Sequence, residues 1–502
     1  MKTLIQKSIN RRIFIKNASS ATAGLIFLPG LANAHQRSSG LFKRPFGAMD
    51  FEVTTFGLGG QASLQWTPED IDPVQIILKS FDEGVNYFDT SNLYGPSQLN
   101  FGAAFKKLHL LPGQSGYDEA LRRSIFLTSK THLRWGAGHP ERAGVTNWSN
   151  GGDGGNTADD IRRSLTQIFG DGKGGYPKGA YLDMMLIHNL NTIEEVDALY
   201  TGLENTVPDL EEIGALAVLR DFRDGSNLTG QNPREEKLIR HIGFSGHYSA
   251  PVMMEMIRRD SGGILDGMLV SINANDRLNL NMQHNVIPVA EKRRMGIIAM
   301  KVFADGAMYA KEPRWSRTPD DVVRSVGSPD LPSKPLIEYA LSTPGISTAI
   351  VGIGQISNKR SECQLTQNIA AAQIEPDGMS ASDREEVEMM TARIREGKTN
   401  YFQIAEGKLS PPNNVRARQI TAAGQPAVDI SWDSAYAGRE PIEHYEIISG
   451  GSLLGKLQHS PQIDKMPFTF TASSGSDHKR EFTIAAVDRS GQRAETRLVV
   501  EN

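Results

Sequence analysis

Cysteine is almost missing from these 502 residues. Cys363 stands alone, so no intrachain disulfide can form and stability has to come from core burial. Aromatic residues make up only 7% of the chain, and beyond residue 34 no apolar run approaches the about 20 residues a membrane helix needs. An excess of positive charge is missing too. The formal net charge is −4, which gives no basic surface for nucleic acid or an anionic membrane. A complete dinucleotide fingerprint is also absent. GLGG (57–60) follows an apolar run but lacks the last glycine of G-x-G-x-x-G and the acidic residue about 20 positions on.

The ends of the chain differ from its middle. Lys2, Lys7, Arg11, Arg12 and Lys16 form a basic head, followed by AGLIFLPGLANA and the small-residue pattern Ala32-Asn33-Ala34. That order predicts a cleavable export signal over 1–34, with no lipid anchor because no cysteine lies near the cleavage site. The twin arginines of NRRIFIK resemble a Tat signal, which carries folded proteins; an ordinary Sec signal with a chance Arg-Arg is the alternative. The mature protein is therefore expected in the periplasm or secreted. Removing five basic residues and no acidic one takes the formal charge from −4 to −9.

The sequence changes character again at SPPNN (410–414). Short alternating runs follow, among them AVDISW, HYEIIS, FTFTAS, EFTIAAVD and ETRLVVE, which predict a small β-sandwich over 409–502. With Pro412, Val415, Trp432, PIEHYEI (441–447) and FTIAAVDRSGQRA (482–494), this part resembles a fibronectin type III domain. Phe482 stands where that family usually has a tyrosine. The segment reads as a spacer or docking module, with contact to a protein or polysaccharide as its further use.

Between these ends, over 35–408, β-branched apolar runs alternate with amphipathic stretches. The predicted strands are TTFGLGG (54–60), VNYFDT (85–90), SIFLTSK (124–130), LDMMLIHN (182–189), IRHIGFSG (239–246), GMLVSINA (267–274), GIIAMKVF (296–303) and STAIVGIG (347–354). Helical patterns such as DPVQIILKSFDEG, TADDIRRSLTQIF, APVMMEMIRRD and SKPLIEYALS separate them. Eight strand–helix repeats, with strands too apolar to be half-exposed, predict an α/β fold of the (β/α)8 TIM-barrel class; a doubly wound open sheet is the runner-up.

In such a barrel the chemistry sits at the carboxyl ends of the strands. Asp89 ends the second strand and Tyr94 follows it in YFDTSNLYG; Lys130 ends the third strand and His188 the fourth. A phenol is a weak acid at neutral pH, and an ammonium beside it favours the phenolate. A carboxylate keeps the ammonium charged, and a neutral imidazole can orient a carbonyl oxygen. Tyr94 as proton donor, Lys130 as its tuner, Asp89 as the lysine's partner and His188 as orienter would reduce a carbonyl, given a hydride source. Taken singly, each has a plainer role: a turn acid, a rim ring, a solvated lysine, a barrel histidine.

YFDTSNLYG, FLTSK, the stretch from IRRSLTQIF to YLDMMLIH (162–188) and that from AIVGIG to QLTQNIAAAQ (349–373) resemble the aldo-keto reductase family over about 50–375. The resemblance implies NADP(H), or less often NAD(H), lying across the barrel mouth, no metal, and the four catalytic roles just given. It also implies cofactor contacts. Gly59 and Gly60 would face the nicotinamide end; Ser245, Ser271 and Met300 fall at nicotinamide-contacting positions, the last two with atypical residues. Gly352 and Gly354 would pass the pyrophosphate, with Lys301 as a phosphate contact, and Gln364 and Asn368 would meet the adenine. Lys359 and Arg360 either grip a 2′-phosphate or are merely solvated.

Substrate choice would fall to the long glycine-rich loop 132–156, expected to lack structure of its own, with Trp135 and Trp148, and to His247. Rings beside polar groups suit a sugar or another polyhydroxylated carbonyl compound. Export separates such an enzyme from recycled cofactor, whereas a Tat substrate would fold inside and leave with nucleotide bound. A barrel that binds a ligand or partner without turnover is the rival reading.

Overall fold

The protein is described by a computed structural model that covers residues 40–138, 140–149, 155–170, 174–309, 311–473 and 479–501. The expected export signal lies outside the described residues. Each run predicted as a barrel strand overlaps one: β1 (Phe56–Gly59), β2 (Tyr87–Asp89), β3 (Phe126–Thr131), β4 (Leu182–Ile187), β5 (Ile239–Gly246), β6 (Gly267–Ser271), β7 (Gly296–Met300) and β8 (Ile346–Val351). Every neighbouring pair is parallel, and β8 pairs with β1 to close the ring. Closure rules out the open sheet.

Strands such as FLTSKT and LDMMLI are buried at every position, because helices cover the outer face and side chains fill the inner one. The helices follow their sequence signals. Thr157–Phe169 starts at a capping box made by Asn156 and Asp159 and buries Ile161, Leu165 and Ile168 at helical spacing.

The barrel interior holds Tyr87, Phe126, Met184, Leu186, Leu269, Ile298 and Met300. One end of this core is sealed from outside the barrel. A hairpin of Lys43–Pro45 and Glu52–Thr54 inserts Phe46, whose ring meets Phe126 at 4.9 Å and Tyr87 at 5.6 Å between centroids. The hairpin turns at Gly47 with φ of 62°, since a Cβ there would strike the backbone at the start of β7. With the amino end plugged, the carboxyl end is left as the mouth.

The loop 132–156 is not structureless, as the sequence suggested. Trp135–Ala137 pairs antiparallel with Ile213–Gly214, so β-branched and aromatic residues root the described part of the loop against the next crossover.

The C-terminal region is a sandwich of two antiparallel sheets. Its strands are β9 (Asn413–Ala422), β10 (Gln425–Asp433), β11 (Ile442–Ser449), β12 (Ser452–Gln458), β13 (Phe468–Ser473), β14 (Lys479–Asp488) and β15 (Arg493–Glu501). Sheet order is β9-β10-β13 and β12-β11-β14-β15, with Trp432, Tyr445, Ile447, Phe482 and Ile484 packed between them.

The sandwich docks on its own barrel. The side chain of Asn285 and the backbone of Ala437 exchange two hydrogen bonds (2.8 and 3.2 Å), and Arg277 Nε donates to the Arg439 carbonyl at 2.8 Å while ion-pairing with Glu388 and Glu440. The connecting segment is pinned beside the mouth: Asn400 bonds reciprocally with Asn273, and Gln403 Nε2 donates to Asp276 at 2.6 Å.

Candidate active site

The carboxyl ends of β2, β3 and β4 bring Asp89, Lys130 and His188 to one side of the mouth, with Tyr94 in the loop after β2. Lys130 is wholly buried. Its ammonium is ion-paired to Asp89, donates to the Thr90 carbonyl at 2.8 Å and lies 4.7 Å from the centre of the Tyr94 ring. The His188 ring stands edge-on to Tyr94 at 5.6 Å, and its Nδ1 is 3.2 Å from the Ser91 hydroxyl. The four expected side chains therefore form one constellation.

Their electrostatics depart from expectation in one respect. The Tyr94 phenol is pushed well above its ordinary value, first by burial and then by the charges of Asp89 and Asp305. The anticipated lowering by Lys130 is absent, because burial and two carboxylates outweigh one ammonium that faces the ring. Burial raises Asp89 against the pull of Lys130 and lowers Lys130 against that of Asp89. His188 is driven well below the imidazole range by burial, with Lys130, His132, His247 and Arg134 adding to it, so it stays neutral.

A cleft of about 1030 Å³, open to solvent, runs from this group along the ends of β7, β8 and β1. Of the expected cofactor residues, Gly59, Gly60, Met300, Lys301, Gly352, Gln364 and Asn368 line it together with Asp89 and Tyr94. Gly60 must be glycine because a Cβ would run into the Asp89 carbonyl oxygen.

Other expected contacts are placed differently. Ser245 and Ser271 are fully buried and outside the cleft lining. Ser245 Oγ accepts from Asn189 N at 2.9 Å, and Ser271 Oγ donates to the His247 carbonyl at 3.2 Å. Gly354 packs under Val323 and donates its N–H to Gln364 at 2.8 Å. The Gln364 amide is spent on protein: its oxygen accepts from Gly354 and Gln355, and its nitrogen donates to the carbonyls of Val323 and Ser325. It anchors the loop after β7, where an adenine contact was expected. Lys359 and Arg360 are exposed, paired with Glu362 and, at 3.8 Å, with Glu83, and neither lines the cleft.

The residues present still suit a dinucleotide. Asn368 is buried in the cleft wall with an oxygen that has no partner among the described residues, and Lys301 supplies a cation. Lys301 sits with Lys311 around Asp305, whose carboxyl the two ammoniums hold at about 2 against burial, and Tyr401 donates to the same carboxylate at 3.0 Å. Among the described residues no cluster of three or more His, Cys, Asp or Glu could hold a metal.

Trp135 is corrected from substrate ring to core. It is 0% exposed, and the Arg142 guanidinium covers its ring at 4.9 Å. Trp148 is 53% exposed and tilts against His132 at 5.4 Å; His132 in turn lies edge-on to His188 at 5.8 Å. Across the mouth His247 meets Trp315 at 5.3 Å, and Trp315 meets Tyr401 at 5.4 Å. Sequence reasoning missed His132, Trp315, Tyr401 and Phe402. Trp315 lies in a loop without periodicity, and Tyr401 and Phe402 lie in the segment beyond the last repeat.

The sequence profile of the aldo/keto reductase family matches residues 55–388, the span that holds the barrel and all four clustered side chains. The chain belongs to the aldo/keto reductase family. It is an oxidoreductase of that type. Among solved structures, this aldo/keto reductase is similar to one from Klebsiella pneumoniae in complex with NADPH, at 16% identity and a TM-score of 0.39, covering 68% of this chain and 92% of that one. An aldo-keto reductase from Bombyx mori in complex with NADP is 15% identical, with a TM-score of 0.43 and coverage of 71% and 95%. The fibronectin-III array of RIM-binding protein aligns over 20% of this chain and 38% of its own, at 14% identity and a TM-score of 0.16. No curated protein matches the chain.

Proposed function

We propose that this aldo/keto reductase is an exported, NADP(H)-dependent enzyme that reduces a carbonyl compound, or oxidises the alcohol in reverse, with Tyr94 as general acid and base. The observation that carries the reading is the buried Lys130–Asp89 pair set against the Tyr94 ring, with neutral His188 beside it, next to the open cleft that Asp89 and Tyr94 line. Asn368, Lys301 and the backbone at Gly59, Gly60 and Gly352 would hold the nucleotide, which when bound supplies the hydride that no side chain can. Membership of the aldo/keto reductase family supports NADP(H), with NAD(H) as the alternative.

The chain's own residues manage the proton. His188 donates a hydrogen bond to the carbonyl oxygen and fixes its direction. The Tyr94 phenol is fully protonated at working pH. As negative charge builds on that oxygen it becomes a stronger base than a phenolate, so proton transfer from Tyr94 runs downhill. Lys130 then faces the new phenolate, and Asp89 with the Thr90 carbonyl holds the lysine's proton in place.

Trp148 and Trp315, at 53% and 43% exposure, flank the site with His132, His247 and the Tyr401 hydroxyl, an arrangement that favours a sugar or another polyhydroxylated carbonyl. The sandwich is read as a fibronectin type III-like module for contact with a protein or polysaccharide, with Met466, in the loop between β12 and β13, 74% exposed. NRRIFIK supports Tat export of the loaded enzyme. The test is to purify the full chain from periplasm, identify bound nucleotide by mass spectrometry, and follow NADPH consumption over a panel of aldoses and simple aldehydes. Bound NADP with consumption on at least one carbonyl is expected; a nucleotide-free protein inert to the whole panel overturns the reading.

A further inference from the structure

We infer that Ser91 is a positioning residue that fixes the tautomer of His188, leaving the proton on Nε2. The inference rests on the proposed role of His188 and adds to it the group that sets its polarity. An imidazole can donate to a carbonyl oxygen only from a protonated nitrogen, and in the neutral ring just one nitrogen is protonated. Which one is set by the partner of the other.

That partner is the Ser91 hydroxyl, 3.2 Å from Nδ1. Ser91 is 1% exposed, and its oxygen already accepts the backbone N–H of Leu93 at 3.2 Å. Among the described residues its own proton has no acceptor other than Nδ1. Were Nδ1 to carry the hydrogen, it would donate to the serine oxygen, and the buried serine proton would be left without an acceptor. Leaving a buried donor unmade is the costlier arrangement. Ser91 therefore donates, Nδ1 accepts, and the ring proton sits on Nε2. Nε2 has no partner among the described residues and is not sealed from solvent, so its N–H remains free for an incoming oxygen.

Two further features keep the ring in this state. The wholly buried Arg134 donates to the carbonyls of His188 (2.9 Å), Asn189 (3.1 Å) and His132 (3.1 Å), which pins the backbone on both sides of the site. Its charge, with that of Lys130, disfavours a second ring proton. The sequence motif carries the logic in compressed form: in DTSNLY (89–94) the acid serves the lysine, the tyrosine is the proton donor, and the serine between them serves the histidine.

The experiment labels the histidines of the full chain with nitrogen-15 and reads long-range proton–nitrogen correlations, with the His188 signals assigned by their loss in His188→Gln. The wild type is expected to show the Nε2–H tautomer, Ser91→Ala a mixture of both, and Ser91→Thr the wild-type pattern restored. With 4-nitrobenzaldehyde and NADPH, Ser91→Ala is expected to lower kcat about tenfold with NADPH affinity unmoved, and Ser91→Thr to recover to within about twofold. An Nδ1–H tautomer in the wild type, or an unchanged Nε2–H tautomer in folded Ser91→Ala, overturns the inference. The spectrum reads the tautomer without turnover, so a protein inactive on every carbonyl would end the functional reading and still leave this one decided.

Discussion

The Lys130 ammonium lies 4.7 Å from the centre of the Tyr94 ring and is itself ion-paired to Asp89. A cation held over a phenol in a dry site stabilises the phenolate that remains once the proton has left. The buried pair also makes the site costly to dismantle. Removing one partner of a buried ion pair leaves an uncompensated charge, so Lys130→Met is expected to lose about 3–5 kcal/mol of stability. The double change Asp89→Asn with Lys130→Met should recover a large part of that. Denaturant unfolding of the three proteins measures it, and equal stabilities would show that the pair carries no buried charge.

The pH dependence of catalysis should be unusual for a site with so many imidazoles. His132 is pushed down to about 3, and His188 and His247 lie well below their ordinary value, all chiefly by burial. Tyr94 is raised instead. None of these groups changes charge near neutrality, so kcat/KM for reduction should stay flat between about pH 5 and 8. An acid limb near pH 6.5 would mean that a histidine titrates in the free enzyme.

Asp305 gives the matching prediction for stability. Its carboxyl is lowered to about 2 in the folded protein by Lys301 and Lys311. A carboxylate with a depressed folded pKa contributes stability that is present above its unfolded value near 4 and is lost as pH falls toward 2. The contribution is about 2 kcal/mol, and the difference in unfolding free energy between the wild type and Asp305→Asn should shrink by that amount across this window. A difference that is constant with pH would contradict the ion-paired assignment.

Two tryptophans from one loop should part company. Trp135 is fully buried, so Trp135→Ala is expected to cost about 3–5 kcal/mol. Trp148 is 53% exposed beside His132, so Trp148→Ala should leave the melting temperature nearly unmoved and raise KM for a polyhydroxylated substrate several-fold. The comparison needs thermal unfolding and steady-state kinetics on both variants.

That division marks how far the sequence could be read. The barrel was legible because short apolar and β-branched runs alternate with amphipathic stretches; β3 and β4 are buried at every position, and their ends name Lys130 and His188. Asp89 and Tyr94 were legible because strand-end residues in a barrel share one mouth. Trp135 was misplaced because the ladder to Ile213–Gly214 is a long-range pairing that no local pattern announces. Gln364 lines the cleft as expected, but its hold on the loop after β7 was not legible for a similar reason: its partners Val323 and Ser325 lie about forty residues upstream. Tyr401 and Phe402 come from the segment that joins barrel to sandwich, and the hydrogen bonds of Asn400 and Gln403 to the loop after β6, with that of Tyr401 to Asp305, bring them to the mouth.

The account is tested most directly by comparing wild type with Tyr94→Phe for NADPH binding, by fluorescence quenching, and for single-turnover reduction of an aldehyde. The account predicts nucleotide affinity within about twofold and a reduction rate lower by a factor of about 10²–10⁴. A Tyr94→Phe enzyme that reduces the aldehyde at the wild-type rate would contradict it.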